Sequence, residues 1–293
     1  MKYRVRHVTT YHYGEPVLLS HHAAHLGPRA CPGQGHAQVR LDILPVPAVR
    51  EDGKLDYFGN PITFFTVQDA HTRLTVDASF EVETSPPPAL LHLDPTPWDT
   101  VAAELAAGTA PRVEAALDFL FPSYQVPPLA EARAYAEPSF PPGRPLVEAA
   151  VDLMRRIHTD LTFDPDATTV GTPLAQVFAH RRGVCQDFAH MMIACLRAMG
   201  LAARYVSGYI RTLPPPGKEK LVGADASHAW AAVFLPGWGW LDLDPTNDCL
   251  AGEDHITVAW GRDYDDVSPL RGVVLGGGHH QVHVGVDVAE VGG

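Results

Sequence analysis

Cysteine is scarce in this chain, with four in 293 residues. That is too few for a disulfide scaffold in a protein of this length, so the thiols are expected to be reduced and the protein cytoplasmic. Basic side chains are also short: 22 Lys and Arg stand against 34 Asp and Glu, a net charge of −12. Nearly all of the acidic excess lies beyond residue 90. Such a surface repels a phosphate backbone, which argues against a nucleic-acid partner. No stretch approaches the roughly 18 consecutive apolar residues of a membrane-spanning helix. The start, Met1-Lys2-Tyr3-Arg4-Val5-Arg6-His7, carries no apolar leader, so neither membrane nor export is expected. What remains is 46% apolar and 19% charged, an ordinary soluble composition long enough for two modest domains.

Residues 1–84 read as an amino-terminal β-sandwich-like domain. Apolar and polar residues alternate in Tyr3–Val8, Val39–Ile43 and Leu74–Glu83, and turn signals at Gly14, Pro45, Pro47, Asp52-Gly53 and Gly59-Asn60-Pro61 separate them. His12, His21, His22, His25 and His36 fall in this region without metal-ligand spacing, and surface or hydrogen-bonded roles are expected for them. Residues 85–145 read as a connector. It opens with the stiff Ser85-Pro86-Pro87-Pro88, continues through a helical pattern over residues 97–121 and closes with prolines between Pro138 and Pro145. Residues 146–293 form the third unit. Leu146, Ala149, Ala150, Leu153, Met154 and Ile157 mark a core-facing helix, and Val282, Val284, Val286 and Val288 mark a carboxy-terminal strand entered through Gly276-Gly277-Gly278. The fold class is therefore α+β.

The chemistry concentrates in this third unit. Phe188, Met191, Met192, Cys195, Leu196 and Met199 recur at helical spacing, and Gly200 supplies a stop. The helix begins near Val184 or Cys185. Unpaired N–H groups and the helix dipole at that end stabilise a thiolate and an oxyanion alike. Taken alone, Cys185 is as readily structural as reactive; Cys195 lies on the apolar stripe, and Cys31 and Cys249 have no chemical context. Ser227–Leu235 and Trp240–Asp244 alternate on either side of Pro236-Gly237-Trp238-Gly239, the pattern of a β-hairpin. Centring it at residue 236 sets His228 directly opposite Asp244, with Cβ atoms about 5 Å apart. Asp242 points to the same face, one pair deeper. A carboxylate fixes the tautomer of a neighbouring imidazole, and a cysteine on the other ring nitrogen becomes an activated nucleophile.

Other motifs carry competing readings. His279, His280 and His283 invite a metal, but no carboxylate is near them in sequence, and structural roles are expected there and at His158, His180 and His190. Arg262, Asp263, Tyr264 and Asp266 read as a loop tied by an Arg–Asp pair, or as a rim that contacts substrate. Phe163, Trp230, Trp238 and Trp240 either shield a site or fill the core. Tyr205 and Tyr209 either reach the site or pack. Gln176 is a candidate second oxyanion donor. No cofactor and no metal is expected.

At these residues the sequence resembles the transglutaminase-like superfamily, in its bacterial branch with an amino-terminal β domain. Gly183-Val184-Cys185-Gln186-Asp187-Phe188-Ala189-His190, Ala203–Tyr209, His228-Ala229-Trp230, Asp244-Pro245-Thr246-Asn247 and Gly261–Pro269 carry the likeness, with Tyr11-His12-Tyr13, Pro28-Arg29 and Asp56–Asn60 in the first domain. The resemblance implies a papain-like core with Cys185 as nucleophile, His228 as base and acid, and Asp244 as orienting carboxylate. It implies a peptide, protein or small amide substrate; with no calcium-loop pattern or second-substrate channel in the sequence, hydrolysis by a cysteine peptidase or amidase is expected, with amine transfer and a non-catalytic binding module as the alternatives.

Overall fold

One strand organises the first half of the chain. In the computed structural model, which describes residues 1–35, 38–86, 95–212 and 227–291, β1 runs over Lys2–Ala24. The reading made for His36, and the Pro87-Pro88 end of the linker, lie outside the described residues. Tyr3, Val5, His7 and Thr9 turn inward and Lys2, Arg4 and Arg6 outward, the period of two that a half-buried strand requires. β2 (Arg40–Leu44), β3 (Val49–Leu55), β4 (Pro61–Val67) and β5 (His71–Glu83) follow. Helix α1 (Trp98–Ala107), α2 (Ala130–Ala136) and α3 (Leu146–Asp160) come next, then β6 (Thr162–Phe163), α4 (Leu174–His180), β7 (Arg182–Gly183) and α5 (Cys185–Ala198). The chain ends with β8 (Ala203–Ile210), β9 (Ser227–Leu235), β10 (Gly239–Asp244), β11 (Cys249–Leu250), β12 (His255–Gly261), α6 (Tyr264–Val267), β13 (Leu270–Gly276) and β14 (His280–Glu290).

Gly14 does not make the turn that the sequence suggests. The strand continues through it, its N–H bonds to the carbonyl of His279 at 2.7 Å, and the pairing with β5 slips between His12 and Val17. The irregularity lets β1 change neighbours. Its first half lies between β5 and β14, and its second half between β4 and β13. The resulting seven-stranded sheet folds over a shared core of Val17, Leu41, Ile43, Phe65, Val67, Leu74 and Val76, which gives the sandwich-like arrangement from a single sheet.

Two segment expectations change. Residues 270–290, grouped by sequence with the third unit, pair with β1 instead; Val286 and Val288 stand opposite His7 and Val5 and are buried there. A strand pattern reveals its faces but not its neighbour. The helix expected over residues 97–121 stops at Ala107, because Gly108 closes it in the left-handed conformation (φ 68°) and Pro111 follows. Short 3₁₀ turns at Val113–Ala115 and Leu117–Phe119 take over. Val101, Leu105 and Phe119 join the same apolar core as α5 and β9, so this segment is more than a spacer.

The second half is built on a five-stranded antiparallel sheet in the order β11-β10-β9-β8-β12. Helix α5 packs across β8 and β9 and is buried from Gln186 to Leu196. Helix α3 covers α5 with its expected stripe, Leu146 through Ile157. The two sheets meet through Tyr3, Val5, Phe80, Tyr209 and Val286 in one continuous core, where His7 Nδ1 and the Tyr209 hydroxyl hydrogen-bond at 2.8 Å.

Candidate active site

The start of α5 is set by a buried carboxylate. Asp187 accepts the Val184 N–H at 2.8 Å and the Thr168 hydroxyl at 2.6 Å. Burial pushes its pKa up, against the opposing pull of those two bonds. A side chain at residue 183 would run into Asp187, which explains the glycine there. Val184 is extended (φ −107°, ψ 179°), so Cys185 becomes the first helical residue and is half-buried. The Asp187 and Phe188 amides turn back to the Val184 carbonyl at 2.8 and 3.2 Å. The amides of Cys185 and Gln186 are left as first-turn donors without an intrahelical acceptor. Cys195 is fully buried, and burial raises its thiol pKa well above the ordinary range. Burial, reinforced by Asp244, raises Cys249 to about 11.

His228, at the start of β9, presents Nε2 to Asp244 Oδ2 at 2.7 Å. The other ring nitrogen is free of the carboxylate, and Cys185 acts on the same imidazole closely enough to help raise its pKa. Burial alone would lower the His228 pKa; the bond to Asp244 and the influence of Cys185 overcome it and raise the group to about 10. Burial works in the opposite sense on Asp244, yet its bonds to His228 and His255 hold the carboxyl far below its usual range.

The cross-strand register differs from the sequence expectation. Three residues, Pro236-Gly237-Trp238, make the turn, with positive φ at Gly237 (85°) and at Gly239 (110°), and the first pair is Leu235 with Gly239. The hairpin is therefore centred at Gly237, one residue later than expected. Asp244 is level with Trp230, and His228 reaches it along the diagonal. Both remain on the same face, because moving the centre by one residue preserves the parity of the pairs. Asp242 shares that face but belongs to other partners. It accepts the Trp230 indole N–H at 3.3 Å and lies 4.0 Å from Arg204.

Asp244 has more partners than the sequence indicated. Oδ2 also accepts the Asn247 side-chain amide at 2.7 Å and His255 Nε2 at 3.1 Å, while Oδ1 accepts the backbone amides of Thr246 at 2.9 Å and Asn247 at 3.2 Å. Asn247 sits in the Asp-Pro-Thr-Asn run singled out by sequence; His255 had no local signal at all. The ligand atoms of His228, Asp244 and His255 lie within 4.8 Å of one another, a spacing open to a metal ion. The hydrogen bonding speaks against it. A neutral histidine that ligates through Nε2 carries its proton on Nδ1, yet His255 Nδ1 receives the Gly252 N–H at 3.1 Å. Metal binding would set two donors against each other.

The remaining candidates separate cleanly. Arg262 grips Asp266 through its side chain (2.9 and 3.0 Å) and its backbone N–H, as the tied-loop reading expects. His190 is buried and neutral; burial and Arg197 lower it to about 3, and it accepts the Tyr264 amide at 3.2 Å. His158 donates to the Thr246 carbonyl at 3.0 Å. Phe163 and Trp238 are exposed, Trp240 packs on Phe119 and Phe234, and Trp230 alone lies against His228 and His255. Tyr205 and Tyr209 are both buried, the first against His190 and Tyr264, the second against His7 and Phe80. Gln176 lines a polar cleft of about 440 Å³ with Asp164, Thr168, Thr172, His180 and Arg182.

Residues 3–83 match the bacterial transglutaminase-like N-terminal region, and residues 133–245 match the transglutaminase-like superfamily. An uncharacterised protein of Mycobacterium tuberculosis is 44% identical, spanning 98% of this chain and 92% of its own. A crystal structure described as a candidate cysteine protease from Cytophaga hutchinsonii shares the fold, with a TM-score of 0.70 over 99% of this chain and 90% of that one at 18% identity. A protein-glutamine gamma-glutamyltransferase of Pseudomonas aeruginosa is 32% identical over 123 residues, 36% of this chain and 18% of that protein.

Proposed function

The chain belongs to the transglutaminase-like superfamily, and from that premise we propose that it cleaves amide bonds through a cysteinyl thioester, as a peptidase or amidase. One observation carries the reading: the buried His228 imidazole bonds to the Asp244 carboxylate at 2.7 Å and is raised in pKa by that carboxylate and by Cys185. In this role Cys185 Sγ attacks the carbonyl carbon as a thiolate while the first-turn amides of α5 receive the developing oxyanion. His228, protonated and oriented by Asp244, gives its Nδ1 proton to the departing amine as the C–N bond breaks. The thioester then meets water. His228 takes a proton from that water, the C–S bond breaks, and a carboxylic acid and the thiolate–imidazolium pair are left.

Water as the second substrate is supported by the surroundings of the thiol. Cys185 is half-buried, and of the four aromatic residues weighed as a shield, Phe163 and Trp238 face solvent and Trp240 is engaged elsewhere. Amine transfer is the second reading, favoured by the likeness to the protein-glutamine gamma-glutamyltransferase of Pseudomonas aeruginosa. Both share every step up to the thioester. Mass spectrometry of a glutamine peptide incubated with excess lysine analogue separates them. Hydrolysis yields the glutamate product; a cross-linked product without hydrolysis overturns the preferred reading.

A further inference from the structure

Histidine His255 lies outside every motif discussed above, 11 residues beyond Asp244 in sequence, yet its Nε2 sits 3.1 Å from the same carboxylate oxygen that holds His228. Its ring is engaged at both nitrogens and along one edge, and its backbone is tied to Gly252. The Gly252 N–H points at Nδ1 at 3.1 Å, the His255 N–H returns to the Gly252 carbonyl at 3.0 Å, and the Trp230 indole meets the ring edge-on at a centroid distance of 5.2 Å. A ring nitrogen that receives an N–H carries no proton of its own, so the proton resides on Nε2 and is aimed at Asp244. His255 thus donates from Nε2 while Nδ1 accepts, and the same geometry disqualifies it as a metal ligand.

We propose that His255 is a positioning residue: its fixed Nε2–H pins Oδ2 of Asp244 at the point where that oxygen meets His228, and so keeps His228 turned toward Cys185. The proposal rests on the reading of Cys185 and His228 as a reactive pair. Asp244 lies at the end of β10, where the ladder to β9 stops at Leu243 with Ala231, so the hairpin alone does not fix the carboxylate's rotation. The Thr246 and Asn247 amides hold one oxygen, and Asn247 and His255 hold the other. Of these, only His255 comes from outside the segment 244–247. It ties the carboxylate to β12, three strands away in the sheet order. A donor anchored on a distant strand restrains rotation in a way that neighbours moving with Asp244 do not.

The test reads Cys185 directly and needs no substrate. Iodoacetamide alkylation is followed by mass spectrometry of the Cys185 and Cys195 peptides in the full chain, for the wild type and for His255→Leu, His255→Asn and His255→Gln. A glutamine side-chain N–H reaches the place of Nε2, whereas that of asparagine reaches only the place of Nδ1. Loss of one hydrogen bond to a charged group predicts alkylation of Cys185 slower by on the order of tenfold in the Leu and Asn variants, with glutamine restoring most of the rate. Buried Cys195 stays unlabelled throughout if the fold is intact. Equal rates in the Asn and Gln variants, or slower Cys185 labelling only where Cys195 becomes labelled, overturn the proposal. Nitrogen-15 NMR of the wild type gives an independent measure: the Nε2–H tautomer is expected, and an Nδ1–H tautomer or an imidazolium also overturns it. Preferential labelling of Cys31 or Cys249 over Cys185 in the wild type would instead defeat the acyl-transfer reading itself.

Discussion

His228 and Asp244 meet at 2.7 Å without being paired across their hairpin. The turn residues move the ladder by one step, and the contact survives because both side chains stay on one face of a curled sheet and lie within diagonal reach. The carboxylate is wholly buried and accepts five hydrogen bonds, so its charge is fixed before any substrate arrives.

Replacement of Cys185 by alanine is expected to abolish amide turnover, by roughly 10⁴-fold or more where a detectable background remains. The residue is half-buried at a helix end, so the melting temperature should stay within a few degrees of wild type. A non-catalytic binding module predicts the opposite: ligand binding unchanged and no turnover to lose. Steady-state assays on the purified variant decide the matter.

The pH profile follows from the imidazole. His228 is raised to about 10, so it stays protonated through neutrality and can serve as acid there; activity is expected to fall as the pH climbs through about 10. The ion pair's contribution to stability runs the same way. It is whole below the ordinary histidine value of 6.5 and is lost as the pH rises through the folded value. Asp244→Asn removes the charge that holds His228 up. The alkaline limb should then shift toward the ordinary value, with turnover reduced by on the order of 10²- to 10⁴-fold. An unmoved limb in a folded Asp244→Asn protein would show that another group sets it.

Gly183→Ala tests the helix start. The added methyl meets Asp187 and forces its carboxylate away from the Val184 amide, removing the cap beneath Cys185. A loss of about 1–3 kcal/mol is expected in a denaturant titration, with slower Cys185 alkylation alongside it. Asp187→Ala should produce the same pair of effects by deleting the acceptor.

Removing residues 270–293 tests where the carboxy-terminal strands belong. As an appendage of the second sheet they would be dispensable. Paired with β1 they cover Val5 and His7, and their loss exposes Tyr3, Val5 and Val286's place in the shared core. Broadened, non-cooperative thermal unfolding of the truncated chain is the expected result, measured by circular dichroism.

Local sequence pattern determined the elements that carry the chemistry. The apolar stripe and Gly200 defined α5, the alternation around Pro236-Gly237 defined the β9–β10 hairpin, and together they assembled Cys185, His228 and Asp244 as candidates. These features depend on neighbours a few residues apart, where periodicity and turn chemistry act directly. Tertiary structure decided what pairing over long separations controls. It carried β1 through Gly14, set β13 and β14 beside β1, drew Val101, Leu105 and Phe119 into the apolar core shared with α5 and β9, and placed His255 on Asp244. An alternating pattern shows that a strand has two faces but is silent on which strand will satisfy its edge. A histidine contributed by such a strand therefore becomes visible only once the sheet has closed around it.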